Sequence, residues 1–262
     1  NQAIAVQQHM AALASLVRQA CDCPTEARFA AADAQPARGR GRPLWILFRG
    51  LLTAEGQQAF LNLLASRMHD ARATPAGQEL DRLEVALGLE MQPASQPVCT
   101  IPLIEEIAHF VYAAARNLTV DDDAAGLQKQ RGRLTALGWM YGPKANMKAH
   151  YDTPTFPESQ HEWLVSFNVG LAARFAANDE EVTLHSGDVL LMDTLAVKHG
   201  VNGVVANSAP PDCSLKDARL GVLLWESYNP DIGARARLAQ VEAAAVDGVG
   251  GLFGTGSDSE ED

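Results

Sequence analysis

The chain contains no apolar run approaching the roughly 18 residues that a membrane-spanning helix needs, so no membrane segment is expected. Cysteine is scarce. Cys21, Cys23, Cys99 and Cys213 are too few, in 262 residues, for the disulfide framework of a small secreted fold. Cys21-Asp-Cys23 is tighter than the usual zinc spacing and has no second pair nearby. The first residues show no basic-then-apolar leader. Reduced thiols in a cytoplasmic or nuclear protein are the resulting expectation. Positive charge is also short: 21 Lys and Arg stand against 32 Asp and Glu, a net charge of −11. That balance argues against broad, non-specific attraction to nucleic acid.

What is present is an ordinary globular composition, 47% hydrophobic and 20% charged. The length suits one domain with additions. Acid is locally dense in Asp121-Asp-Asp123 and in the tail Ser257-Asp-Ser-Glu-Glu-Asp262. Arginines gather at Arg38, Arg40, Arg42 and Arg49, and basic residues again at Lys129, Arg131 and Arg133. Each cluster reads equally as a solvated loop or as a phosphate-contacting surface.

Along the chain, residues 1–20 carry Met10, Leu13, Leu16 and Val17 at helical spacing, and 21–43 read as loop or linker. Leu44-Trp-Ile-Leu-Phe48 is a compact β-prone run. Thr53 fits a helix N-cap, with Glu55 in the first turn and Phe60, Leu61, Leu64 and Met68 on one face. Residues 82–90 are expected to form a short helix. A further helix starts at Pro102 and runs through Ile104, Ile107, Ala108, Val111 and Ala115. From 134 onward the pattern changes to short β-prone runs, at 134–141, 147–152, 163–169, 172–177, 181–185, 188–193, 197–205 and 220–228. Gly, Pro, Asn and Asp separate them. Such a series after a helical preface predicts a mainly β fold with flanking helices, a double-stranded β-helix or jelly-roll barrel. A helix over 231–245 and an acidic tail of disordered composition complete the expected order. The division is 1–43 as N-terminal helix and linker, 44–230 as the main domain, and 231–262 as C-terminal helix and tail.

The chemistry centres on Tyr141-Gly-Pro-Lys-Ala-Asn-Met-Lys-Ala-His150-Tyr-Asp152 and on the later pair His199-Gly200. In a strand, His-x-Asp puts both side chains on one face. A distant His then completes two nitrogens and one carboxylate on one side of a metal, the facial triad of non-heme Fe(II) oxygenases. Arg219 heads a further strand and could hold a carboxylate. The plainer alternatives are a polar pair capping a turn for His150 and Asp152, an edge-strand His199, a surface salt bridge for Arg219 and a core tyrosine for Tyr141. His161 and His185 read as turn residues, Asp188 as the residue that orders its turn, and Asp193 as a core hydrogen-bonding group. Trp139, Trp163 and Trp225 read as core.

Taken in order, these pieces resemble the AlkB family of Fe(II)- and 2-oxoglutarate-dependent dioxygenases over roughly residues 44–229. Leu44 to Leu64 is similar to the family's opening strand and helix. Tyr141-Gly-Pro-x-Ala sits at the spacing of its Tyr-x-Pro-Gly segment. Ser166-Phe-Asn-Val-Gly170 stands where the family has Ser-x-Ser-Leu-Gly. Leu184-x-x-Gly187-Asp188 resembles the turn that leads to the His-Gly pair. The resemblance implies that His150, Asp152 and His199 bind Fe(II), with Arg219 and Tyr141 on the distal carboxylate of 2-oxoglutarate. It also implies oxidative decarboxylation with O2 to succinate and CO₂, coupled to hydroxylation or demethylation of an alkylated nucleobase in RNA or DNA. Tyr151 and Phe156 are then candidates to stack on a flipped base. Three positions depart from the family pattern: Trp139 replaces a common Asn, Trp225 a frequent second Arg, and Pro154 an acidic residue of bacterial members. The last two lie near the co-substrate and target base in DNA-repair members, which sets this chain apart from them. Two rivals stand beside the nucleobase reading: a protein side chain as substrate, and a cupin-like metal-binding module without catalysis.

Overall fold

The computed structural model describes residues 16–17, 25–28, 44–67, 82–86, 107–113, 115, 134–154 and 162–227. The helices expected over 1–20 and 231–245, the acidic segments, Cys21, Cys23, Cys99, His161, Phe156 and the basic clusters other than Arg49 lie outside these residues. Among the described residues no helix is long and apolar enough to cross a membrane.

Strands β1 (Thr25–Arg28), β2 (Trp45–Phe48), β3 (Arg82–Ala86), β4 (Leu134–Tyr141), β5 (Met147–His150), β6 (Glu162–Gly170), β7 (Ala173–Ala177), β8 (Glu180–Leu184), β9 (Val189–Asp193), β10 (His199–Val204) and β11 (Arg219–Ser227) form two antiparallel sheets. The larger has the order β1-β2-β9-β6-β11-β4-β3 and the smaller β5-β10-β7-β8. This is the jelly roll that the run of short strands predicts.

Alternation in the large sheet separates two cores. Phe48, Val165, Phe167, Val169, Leu191, Leu220, Val222 and Leu224 face the helices and bury against Phe60 and Leu64 of α1 (Ala54–Arg67) and against Ile107, Val111 and Tyr112 of the helical residues 107–113. Leu47, Tyr141, Leu164, Leu190 and Met192 face the other way. They pack with Leu223 and Trp225 against Phe175, Ala177 and Val201 of the small sheet. The site lies on this second face.

Thr53 caps α1 as expected, its hydroxyl accepting from the Gly56 N–H at 3.1 Å. Asp188 orders the β8–β9 turn and ties it to the start of the domain. It accepts from the backbone N–H groups of His185 and Gly50 and from Arg49 at 2.8 Å. Arg49 is therefore committed to this clamp, not part of a free basic surface. His185 is an exposed turn residue, and Asp193 is a buried acceptor for the N–H groups of Glu162 and Leu195.

Two elements differ from expectation. The expected helix over 82–90 begins as strand β3, which pairs with β4 from Arg82↔Tyr141 to Ala86↔Leu137. Leu and Glu favour helix locally, but the open edge of β4 supplies a hydrogen-bond partner that outweighs propensity. Within the stretch read as linker, Thr25–Arg28 forms β1 on β2. It extends the sheet through backbone pairing, which apolar periodicity does not reveal.

Candidate metal centre

His150 and His199 sit directly opposite each other on β5 and β10. Paired residues of adjacent antiparallel strands hold their side chains side by side, and the two imidazoles lie 4.7 Å apart between ring centroids. Gly200 makes this approach possible. A Cβ there would meet the Met147 carbonyl oxygen at 2.6 Å, so a side chain would push β5 away.

Asp152 does not lie in the strand. β5 ends at His150, and β10 offers Asp152 no ladder partner because it begins at His199. The Asp152 N–H instead donates to the Thr194 carbonyl at 3.2 Å. Even so, its Oδ1 reaches both imidazoles, 3.3 Å from His150 Nε2 and 3.6 Å from His199 Nε2. One ligand atom from each of the three residues lies within 4.8 Å of the others.

Both histidines are set in the same tautomer. The Nδ1 of His150 lies 2.9 Å from the Lys148 carbonyl, and the Nδ1 of His199 lies 3.0 Å from that of Val197. A carbonyl only accepts, so each Nδ1 carries the proton and each Nε2 keeps a lone pair for a metal. Burial lowers the His199 pKa. The Asp152 carboxylate and the Val197 carbonyl oppose that shift, while His150 adds to it. The neutral, ligating form is thus favoured at His199. His150 is 42% exposed at its side chain against 4% for His199, so the centre opens on the β5 side.

Trp225 reaches the same carboxylate. Its indole Nε1–H donates to Asp152 Oδ2 at 3.1 Å, so its role exceeds the core packing expected of it. Trp163 is a core residue on the helix side, as expected. Trp139 packs partly buried on the face that carries the site.

Arg219 opens β11 on the same face as Trp225, register-paired with Tyr141 on one side and Gly170 on the other. Only 3% of it is exposed. The guanidinium lies 4.9 Å over the Tyr141 ring and donates from Nη2 to Asn168 Oδ1. Asn168 is turned to receive it because its Nδ2 donates to the Ser166 and Asp188 carbonyls, each at 3.2 Å. Gly221 leaves the space beside it, since a Cβ there would stand 3.2 Å from Nη1. Burial lowers the Arg219 pKa and Tyr141 opposes the shift, yet a guanidinium stays charged. Its Nε has no hydrogen-bond partner, and no carboxylate pairs with it among the described residues. A buried charge matched only by neutral groups is costly and calls for an anion. A carboxylate fits the free edge of the fork.

Tyr141 is buried, its hydroxyl 3.9 Å from Met147 Sδ. Tyr151, between the two metal-pair residues, is 55% exposed. Asn168, Gly221 and Trp225 escaped sequence reasoning. For Trp225 the signal was available as a departure from the resembled family's pattern.

No protein-family model and no curated protein matches the sequence. The structure is similar to that of OsALKBH1, with 20% identity, 71% of this chain and 99% of that one covered, and a TM-score of 0.59. The chain shares its fold. The expected likeness to AlkB-type proteins therefore holds at the level of architecture. A prolyl-4-hydroxylase from Pseudomonas putida is 14% identical over 71% of this chain and 93% of its own, with a TM-score of 0.46. A 2OG-Fe(II) oxygenase family oxidoreductase from Burkholderia pseudomallei is 14% identical over 71% and 85%, with a TM-score of 0.44.

Proposed function

We propose that this protein is an Fe(II)- and 2-oxoglutarate-dependent dioxygenase of AlkB-like type, carried by residues 44–230 with β1 of the preceding segment as its sheet edge. One observation carries the reading. Two imidazoles and a carboxylate converge on one side of a metal position, and the same sheet face buries a guanidinium that no carboxylate among the described residues pairs with. His150, Asp152 and His199 suit Fe(II), whose oxygenase sites use this donor set and leave positions open. Held by these three residues, Fe(II) would supply the O2 activation that couples decarboxylation of 2-oxoglutarate to succinate and CO₂ with oxidation of a substrate C–H bond.

The chain's own residues bind and orient. Arg219 donates two parallel hydrogen bonds to the distal carboxylate of 2-oxoglutarate, a geometry that a guanidinium fork matches. Asn168 and the Tyr141 ring hold the guanidinium flat, and the Tyr141 hydroxyl donates to the same carboxylate. The burial around Arg219 excludes water and strengthens that contact. The Nδ1 contacts turn both Nε2 atoms towards the metal position, and burial of His199 favours its neutral, ligating form.

The substrate is an alkylated nucleobase in RNA or DNA. Hydroxylation of an N-methyl group gives a hydroxymethyl adduct that separates into formaldehyde and the demethylated nitrogen. The AlkB-like motifs and the shared architecture support this class, and exposed Tyr151 beside the metal pair offers a stacking surface, with Phe156 as its expected companion. The net charge of −11 favours a second reading, hydroxylation or demethylation of a protein side chain.

The test is succinate release from 2-oxoglutarate by purified protein with Fe(II) and ascorbate. Slow release is expected without a prime substrate, and none from His150→Ala, Asp152→Ala or His199→Ala. Metal binding with no succinate under any condition would leave only a cupin-like binding module. Salt-sensitive retention on oligonucleotides separates the nucleic-acid class from the protein class.

A further inference from the structure

We propose that Trp225 is a positioning residue for the metal centre: its indole N–H holds Oδ2 of Asp152 so that the carboxylate meets the metal through Oδ1 alone. This rests on the reading that His150, Asp152 and His199 hold Fe(II).

Of the three ligands, Asp152 is the one the fold constrains least. His150 and His199 lie in paired strands, and each ring is fixed a second time by its own Nδ1 contact. Asp152 lies past the end of β5, with its N–H on the Thr194 carbonyl and its side chain 21% exposed. Nothing in the β ladder sets the rotation of its carboxylate.

Trp225 supplies that constraint from a rigid place. It belongs to β11, where its backbone pairs with Thr135 on one side and Leu164 on the other, and its ring packs in the core between the sheets. The two oxygens of Asp152 consequently have separate tasks. Oδ2 accepts from the indole at 3.1 Å, and Oδ1 points to both Nε2 atoms. A carboxylate held this way is a one-oxygen ligand. A two-oxygen mode would consume one of the positions that the facial arrangement keeps open.

The choice of donor also matters electrostatically. An indole N–H donates and never accepts, and it is neutral. It orients the carboxylate without placing a positive charge beside a divalent cation. An arginine at 225 would offer the donor but add that repulsion.

The experiment is an anaerobic Co(II) titration of the full chain without 2-oxoglutarate, followed by visible absorption, comparing the parent with Trp225→Phe. Loss of such an outer hydrogen bond weakens metal affinity about ten- to hundredfold, and that loss is expected here with circular dichroism unchanged. Trp225→Arg is expected to fall between the two. A metal-free readout accompanies it: among the indole N–H resonances in NMR, the one that disappears in Trp225→Phe shifts in Asp152→Ala. Co(II) bound equally by parent and Phe variant, or an indole resonance indifferent to Asp152, overturns the role of Trp225 alone. A parent that binds no Co(II) overturns the metal reading and this role with it.

Discussion

The two faces of β11 do different work. Leu220, Val222 and Leu224 point to the helices and are uniformly apolar and buried. Arg219, Gly221 and Trp225, one step out of phase, hold a guanidinium, the gap beside it and an indole hydrogen bond to Asp152. Because strand side chains alternate, one continuous backbone anchors the core and aims the chemistry. The helix-facing side is apolar throughout. The other side packs Leu223 into the second core but also carries Arg219, a buried charge that no carboxylate among the described residues matches.

Neighbouring residues put that contrast to the test. The largest effect is expected on the helix face: Leu220→Ala should cost about 2–5 kcal/mol, as truncations in packed cores do. Denaturant unfolding reads this directly, and a loss under about 1 kcal/mol would deny that face its anchoring role. Arg219→Met, one residue away, should leave the metal-free protein as stable or more stable, because an uncompensated buried charge is removed. The same variant should raise the 2-oxoglutarate concentration needed for succinate release. A drop in melting temperature with unchanged 2-oxoglutarate dependence would reverse the assignment of the two faces.

A smaller, more local effect is expected at Gly200. Alanine there forces β5 outward and should cost roughly 1–3 kcal/mol, the usual range for overpacking. It should also separate His150 from His199 and abolish Co(II) binding. Smallest is the pH dependence of the metal-free protein. The folded-state pKa of His199 lies below its ordinary value, so the unfolded chain binds the proton more readily. His199 therefore lowers stability as pH falls through about 6.5 towards its folded value. His199→Gln should flatten the melting temperature across that window, and a slope unchanged by the substitution would assign it to other groups.

The strands from Leu134 onward are legible as short β-prone runs separated by Gly, Pro, Asn or Asp, with clear alternation in Trp163 to Val169 before Gly170. β3 was not legible, because Arg82-Leu-Glu-Val-Ala86 is short and its state depends on the free edge of β4. The two histidines of the metal centre are legible from spacing; their Nδ1 contacts, to Lys148 in β5 and to Val197 before β10, are not. Simple alternation places Asp152 in the strand, but the ladder stops two residues short of it. Trp225 is visible only as a departure from a family pattern, and Asn168 only as a member of a segment similar to one. What an amide or an indole touches depends on which strands become neighbours, and that pairing joins residues far apart in the chain.

The clamp between Arg49 and Asp188 joins residues 139 positions apart. Beside it, β2 pairs with β9 from Trp45↔Met192 to Phe48↔Val189. During synthesis the four buried residues of β2 emerge long before the strand that will cover them. The nascent protein can pair one edge of this ribbon with β1, but its β9 edge stays open until Val189 is made, and pairings of such long separation form slowly. Yield in the cell should consequently depend on how well chaperones shield Trp45–Phe48 until Val189 has been made.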